Sequence, residues 1–238
     1  MVRPAMHHVI RLNAEARADL FWWSTFPERW NGRGFFACIA ATPSVVVQTD
    51  ATGLWGCGAI AGSVWFSHQW SPSWRSEKIA AKELAKVVVA AAVWGRDWTG
   101  SSVLIESDNS TVVAAVNSGS SRDASLMPLL RSLQFVKAMF AFSLRARHIP
   151  GALNVVADGL SRNRPLADIR RLSPQMASAM SSVPAEIWEL LEPGRVNWLS
   201  QGWRAQFLAT LRWASPTPLA GHIAPGKTSS PVSAGIWE

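Results

Sequence analysis

Four acidic residues stand where a carboxylate is costly unless it has a task. Asp50 ends the apolar run Val45-Val46-Val47-Gln48-Thr49-Asp50, and Asp108 ends Val103-Leu104-Ile105-Glu106-Ser107-Asp108. Glu83 lies inside the helical stretch Lys82-Glu83-Leu84. Asp158 closes His148-Ile149-Pro150-Gly151-Ala152-Leu153-Asn154-Val155-Val156-Ala157-Asp158. A carboxylate at the end of an apolar strand loses hydration, and a bound divalent cation is the usual compensation. Converging carboxylates form a site for hard, oxygen-seeking ions, and those ions suit phosphodiester chemistry.

The elements around these acids decide whether they can meet. Residues 43–69 read as a β-meander: a Val-rich strand after Pro43, then short strands at Cys57–Ala61 and Val64–Gln69, punctuated by Gly53, Gly56, Gly58 and Gly62. Residues 76–95 read as one helix with Ser76 as N-cap and Gly95 as the stop. Lys78, Lys82 and Lys86 mark its wet face; Ala80, Leu84, Val87 and Ala91 mark the dry one. Glu83 falls beside the dry face, in line with Ile79 and Val87. It is therefore turned toward whatever the helix covers, rather than paired at the surface with Lys82 or Lys86.

Residues 103–107 form a buried-type strand. Asp108, Asn109 and Ser110 are all good helix caps, so a cap is the ordinary alternative role for Asp108. The stretch Asn117–Ser121 breaks the chain, a helix runs from about Ser125 to Phe140, and Phe142–Arg147 alternates apolar and basic residues as a last strand. Strands alternating with helices in this order predict a mixed α/β layer fold. Paired strands lie about 4.8 Å apart, so carboxylates at the ends of two neighbours can share one or two ions.

Flanking this unit, residues 1–42 read as a helical lead-in, with Asn13 as a possible N-cap before Ala14-Glu15-Ala16. Its aromatic patch Phe21-Trp22-Trp23 reads as packing on the next domain rather than as a stacking platform for bases. Residues 164–214 carry two short helical patterns, Ile187–Leu191 and Trp203–Trp213. Residues 215–238 are rich in Pro, Gly and Ser and read as disordered. The unit bearing the acids spans residues 43–163.

The 238 residues include 48% hydrophobic ones and carry a net charge of +7, a balance that favours an anionic partner such as nucleic acid. Cys38 and Cys57 are too few for a disulfide framework and lack metal-ligand spacing, so a reducing, intracellular setting is expected. Arg11, Glu15, Arg17 and Asp19 interrupt any apolar signal region, and no run approaches a membrane span. Trp occurs 14 times and Tyr never, which excludes a tyrosine nucleophile in this chain.

With these residues in view, the chain resembles a type 1 ribonuclease H domain. Asp50 after a first strand, Glu83 on the first helix, and Asp108 followed by Asn109-Ser110 match the order of that family's acids. His148, Asn154 and Asp158 match the spacing of its loop histidine, an asparagine and its last aspartate. The segment His148 to Arg162 is similar to the retroelement branch. The lead-in Asp19-Leu20-Phe21-Trp22-Trp23 with Trp30-Asn31-Gly32, and the tail with Trp188, Trp198 and Trp203, are similar to the region around this domain in DIRS-like reverse transcriptases. A polymerase Tyr-x-Asp-Asp motif is absent, so the resemblance is to the portion downstream of a polymerase.

The resemblance implies a ribonuclease H-like, mixed five-stranded sheet flanked by helices, with helical N- and C-terminal extensions. It implies hydrolysis of the RNA strand of RNA–DNA hybrids with two Mg²⁺ ions about 4 Å apart, Mn²⁺ being the alternative. The ions' ligands would be Asp50, Glu83, Asp108 and Asp158, with His148 assisting proton movement or product release. Thr52, Gly53, Asn109, Ser110 and Asn154 would touch substrate, Asn154 having helix capping as its other role. Arg145, Arg147 and Arg162, and the Lys78–Lys82–Lys86 stripe, would follow the phosphate backbone; a solvated helix face is the other role for the stripe. The expected partners are the hybrid and an upstream polymerase domain, with no membrane. Two other readings stand beside this one: a catalytically inactive nucleic-acid-binding remnant, and an integrase-like enzyme of the same superfold. An integrase-like enzyme would need only three acids and no His148-to-Asp158 pattern.

Overall fold

The computed structural model describes residues 11–25 and 42–213. The expectations for Trp30-Asn31-Gly32, Cys38 and residues 215–238 lie outside them. An initial helix, α1 (Ala14–Thr25), precedes three strands, β1 (Val45–Ala51), β2 (Gly56–Ala61) and β3 (Val64–Gln69). A single turn, α2 (Pro72–Arg75), leads into the long α3 (Ile79–Trp94). Then come β4 (Ser102–Ser107), α4 (Ser110–Ser118), α5 (Met127–Phe140), β5 (Ser143–His148), a 3-10 turn at Gly151–Leu153 and α6 (Val155–Ser161). The tail adds α7 (Leu166–Leu172), α8 (Ala185–Leu190) and α9 (Gln201–Trp213).

The five strands lie in the order β3-β2-β1-β4-β5. β1–β2 and β2–β3 pair antiparallel, as a meander of tight turns requires. β1–β4 and β4–β5 pair parallel, because helices intervene. The architecture is therefore α/β and ribonuclease H-like, with helical extensions at both ends of the sheet domain. Alternate residues of a strand face opposite ways. On β2 and β3, Ala59, Ala61, Val64 and Phe66 join the large core with α3 and α5, while Ile60 and Trp65 join Val156, Leu160 and Ile169 of α6 and α7. α3 and α6 thus sandwich β1 and β2.

Two expectations fail on α3. Lys82 and Lys86 do not line a wet face; both are buried, and only Lys78 of the three is exposed. Spacing reveals a polar stripe but not what covers it. From Ala81 to Trp94 the helix is buried on every side, packed between the sheet, α4, α5 and α8. The Lys82 ammonium reaches the carbonyls of Gly53 at 2.5 Å and Arg75 at 2.9 Å. The N-cap is Lys78 rather than Ser76, whose hydroxyl bonds the Ser73 carbonyl of α2. Gly95 does end the helix, and a Cβ there would overlap the Ala91 carbonyl.

The extensions are bound into the same core. Asn13 caps α1 by accepting from Ala16 N at 2.8 Å. Arg131 of α5 pairs with Glu15 and Asp19, each at 2.7 Å. Trp22 donates its indole N–H to the Arg131 carbonyl at 2.9 Å, so that tryptophan does pack on the following domain. Trp188 of α8 stacks on His68 of β3, ring centres 4.0 Å apart and planes 9° apart. It shares the main core with Ile187, Trp198, Trp203 and Phe207. Burial in this contact lowers the His68 pKa, against the pull of Glu192. Trp188→Ala is accordingly expected to cost about 3–5 kcal/mol of stability. A chain cut after residue 163 is expected to lose its sharp thermal transition and near-UV circular dichroism. Melting of both proteins beside the full chain checks this.

Candidate metal centre

Asp50, Glu83 and Asp108 come together. Each offers a carboxylate oxygen within 4.8 Å of the others, at the C-terminal ends of β1 and β4 and on the facing side of α3. The parallel register that sets Gln48 of β1 beside Glu106 of β4 brings both strand ends to one rim of the sheet. Asp50 and Glu83 are buried and Asp108 is exposed, so the cluster opens to solvent on the Asp108 side.

Each acid is held in its own way. Glu83 accepts from the Ala51 backbone N–H at 2.8 Å and from the Ser107 hydroxyl at 3.2 Å, and is ion-paired with Lys86. Asp50 accepts from the Ser161 hydroxyl of α6. That contact needs α6 close to the sheet. Gly58, which stands opposite Asp50 on β2, permits it, because a Cβ there would overlap Leu160. Asp108 is released from capping duty by its neighbour, since Asn109 accepts from Val112 N at 3.2 Å and caps α4.

Burial raises the pKa of Glu83. The nearby Asp50 and Asp108 charges push the same way, and Lys86 opposes them. Both members of the Glu83–Lys86 pair are essentially inaccessible, at 2% and 0% exposure. A buried lysine is thus the internal counter-charge to a cluster of acids. Three hard oxygen donors within 4.8 Å form a donor set that fits Mg²⁺ or Mn²⁺.

Asp158 stands outside this group. Its two oxygens are taken by Arg162 Nε at 2.5 Å and Arg164 Nη2 at 3.0 Å. Its main chain is close to Asp50 all the same, because the Ser161 hydroxyl contacts both the Asp50 carboxylate and the Asp158 carbonyl. His148 lies exposed at the end of β5, with Nε2 3.1 Å from the Asp108 carbonyl oxygen. Beside it, a Cβ on Gly151 would sit 3.3 Å from Asp108 Oδ2.

Asn154 makes no side-chain cap. It is buried, and its amide donates to the Thr49 carbonyl at 2.8 Å, pinning the start of α6 to β1 next to Asp50. The Thr52 hydroxyl accepts from Trp55 N and Gly56 N and so closes the β1–β2 turn. Gly53, three residues after Asp50, and Ser110, two residues after Asp108, are exposed. Arg145 and Arg147 project from β5 into solvent, Arg147 paired with Glu106.

Sequence reasoning missed Ser107, Ser161 and Arg164, and it set aside a Glu83–Lys86 pair that the structure does form, buried rather than at the surface. Ser107 and Ser161 each sit one to three residues from an acid, and that proximity was the only available sign. No family model matches this chain, and no curated protein matches it. Any functional reading therefore rests on the site itself.

Proposed function

We propose that this protein is an endonuclease that hydrolyses the RNA strand of RNA–DNA hybrids, as part of reverse transcription of a retroelement. The observation that carries this reading is the meeting of Asp50, Glu83 and Asp108, which are distant in the chain, within 4.8 Å at an open rim of the sheet. Mg²⁺ held by these carboxylates, with Asp158 as the further ligand, would activate water and neutralise charge building on the phosphate.

The rest of the work falls to the chain's own residues. Ser161 orients the Asp50 carboxylate, and the Ala51 N–H and Ser107 hydroxyl orient Glu83. Lys86 opposes the rise that burial and two like charges impose on the Glu83 pKa. His148, exposed next to Asp108, can take or give a proton at the rim. Exposed Gly53, and Asn109 and Ser110 immediately after Asp108, would meet the backbone of a bound strand. Recognition of a hybrid rests on its shape and on the 2′-hydroxyls of one strand.

A second reading has one observation in its favour. Asp158 is engaged by arginines, as it would be in a remnant that binds nucleic acid without cutting it. Incubating a labelled hybrid with Mg²⁺ separates the two: cleavage supports the enzyme, binding without cleavage the remnant.

Cation binding has a pH signature. Because the Glu83 pKa is raised above its ordinary value of 4.5 in the folded state, the native protein keeps a proton that the unfolded chain has released. Its stability contribution therefore falls as pH rises through the interval between 4.5 and the elevated value. A cation needs the ionised form. Mg²⁺ is expected to raise the melting temperature little at the acid end of that interval and progressively more above it. Melts with Mg²⁺ and with EDTA across pH check the trend; a pH-independent increment would contradict it.

A further inference from the structure

We infer that Arg162 and Arg164 are positioning residues that hold Asp158 away from the three-acid cluster until a phosphate backbone takes their guanidinium groups. This deepens the two-cation reading and rests on it. Four observations carry it.

First, both carboxylate oxygens of Asp158 are occupied, one by each arginine, at 2.5 and 3.0 Å. Second, the fold builds this grip. Arg162 lies one helical turn after Asp158, but Arg164 would point away if the helix continued. Instead the helix stops in a Schellman motif: Arg164 N donates to the Gly159 carbonyl at 2.9 Å and Asn163 N to the Leu160 carbonyl at 3.2 Å. Asn163 takes the left-handed conformation at φ 53°, which asparagine tolerates better than most residues. That reversal brings Arg164 back to Asp158.

Third, the grip adjoins the site: the Ser161 hydroxyl contacts both the Asp50 carboxylate and the Asp158 carbonyl. Fourth, both guanidinium groups are more than half exposed, so an incoming anion can reach them. Ion pairs this exposed are weak, whereas bidentate arginine–phosphate contacts are strong. Exchange of one carboxylate for phosphates is therefore favourable and leaves Asp158 free to turn to a cation. Substrate and cation would then bind with positive coupling.

The test measures Mn²⁺ affinity of the full chain from the electron paramagnetic resonance signal of the free ion. Arg162→Gln/Arg164→Gln is expected to bind Mn²⁺ about three- to tenfold more tightly than wild type. In an Asp158→Asn background the same pair is expected to change affinity by less than about twofold, because the gain runs through that carboxylate. A short DNA duplex, which offers phosphates but no RNA to cut, is expected to tighten Mn²⁺ binding to wild type and not to the double variant, after correction for ions on the duplex. Equal affinity in wild type and double variant overturns the inference while leaving the metal centre intact. So does an equal gain with and without Asp158, since the arginines would then act only as positive charge, and so does a duplex without effect on wild type. Absence of Mn²⁺ binding in every protein removes the metal centre, and the nuclease reading with it.

Discussion

Hybrid cleavage by the Asp50→Asn and Asp108→Asn proteins is expected to fall by at least ~10³-fold, with hybrid binding kept within a few-fold. Both substitutions preserve shape and remove one charge. In Asp50→Asn the amide oxygen would still accept from the Ser161 hydroxyl, so the close packing of α6 on Gly58 is kept. Asp108 carries no cap, because Asn109 has that role, so an amide in its place should not disturb α4. What is lost is negative charge at the one place where three carboxylates converge among the described residues. A 10³-fold loss corresponds to about 4 kcal/mol of transition-state stabilisation. Circular dichroism and hybrid binding of the variants keep a folding defect from passing as a catalytic one. Equal cleavage by wild type and both variants would remove these residues from the site altogether.

The second large effect concerns stability. Lys86→Met is expected to destabilise the protein by about 3–5 kcal/mol, because it strands a buried carboxylate beside two others. For a chain of this size that is a drop in melting temperature on the order of 10 °C. The loss should shrink as pH falls through the carboxylate range, since a protonated Glu83 no longer needs the counter-charge. Adding Glu83→Gln to Lys86→Met should recover most of it, because replacing both members of a buried pair is far milder than breaking it. Mg²⁺ should stabilise Lys86→Met more than wild type, as the ion supplies the missing positive charge. If Lys86→Met melts like wild type at neutral pH, the pair carries none of the electrostatic role assigned to it.

Much of this protein was legible in the order of its residues. Three Val-rich or Gly-punctuated runs, a long helix, a strand and their successors required a layered α/β fold, because strand and helix periods differ and each must bury a face. Asp50 and Asp108 were legible as strand-ending acids, and Glu83 as an acid turned inward, for the same reason.

Tertiary packing decided the rest. Lys86 reads as solvent-facing in the helix pattern, yet the packing around α3 buries it completely and leaves it paired with Glu83. Nothing in the local pattern around Trp188 shows that the tail completes the core against β3. The spacing of Asp158 placed it among the acids, but its side-chain direction depends on a left-handed turn at Asn163 and on two arginines that compete for it. Backbone periodicity is a local property and can be read along the chain. Which charge meets which depends on the surfaces that close over them, and those exist only once the chain has folded.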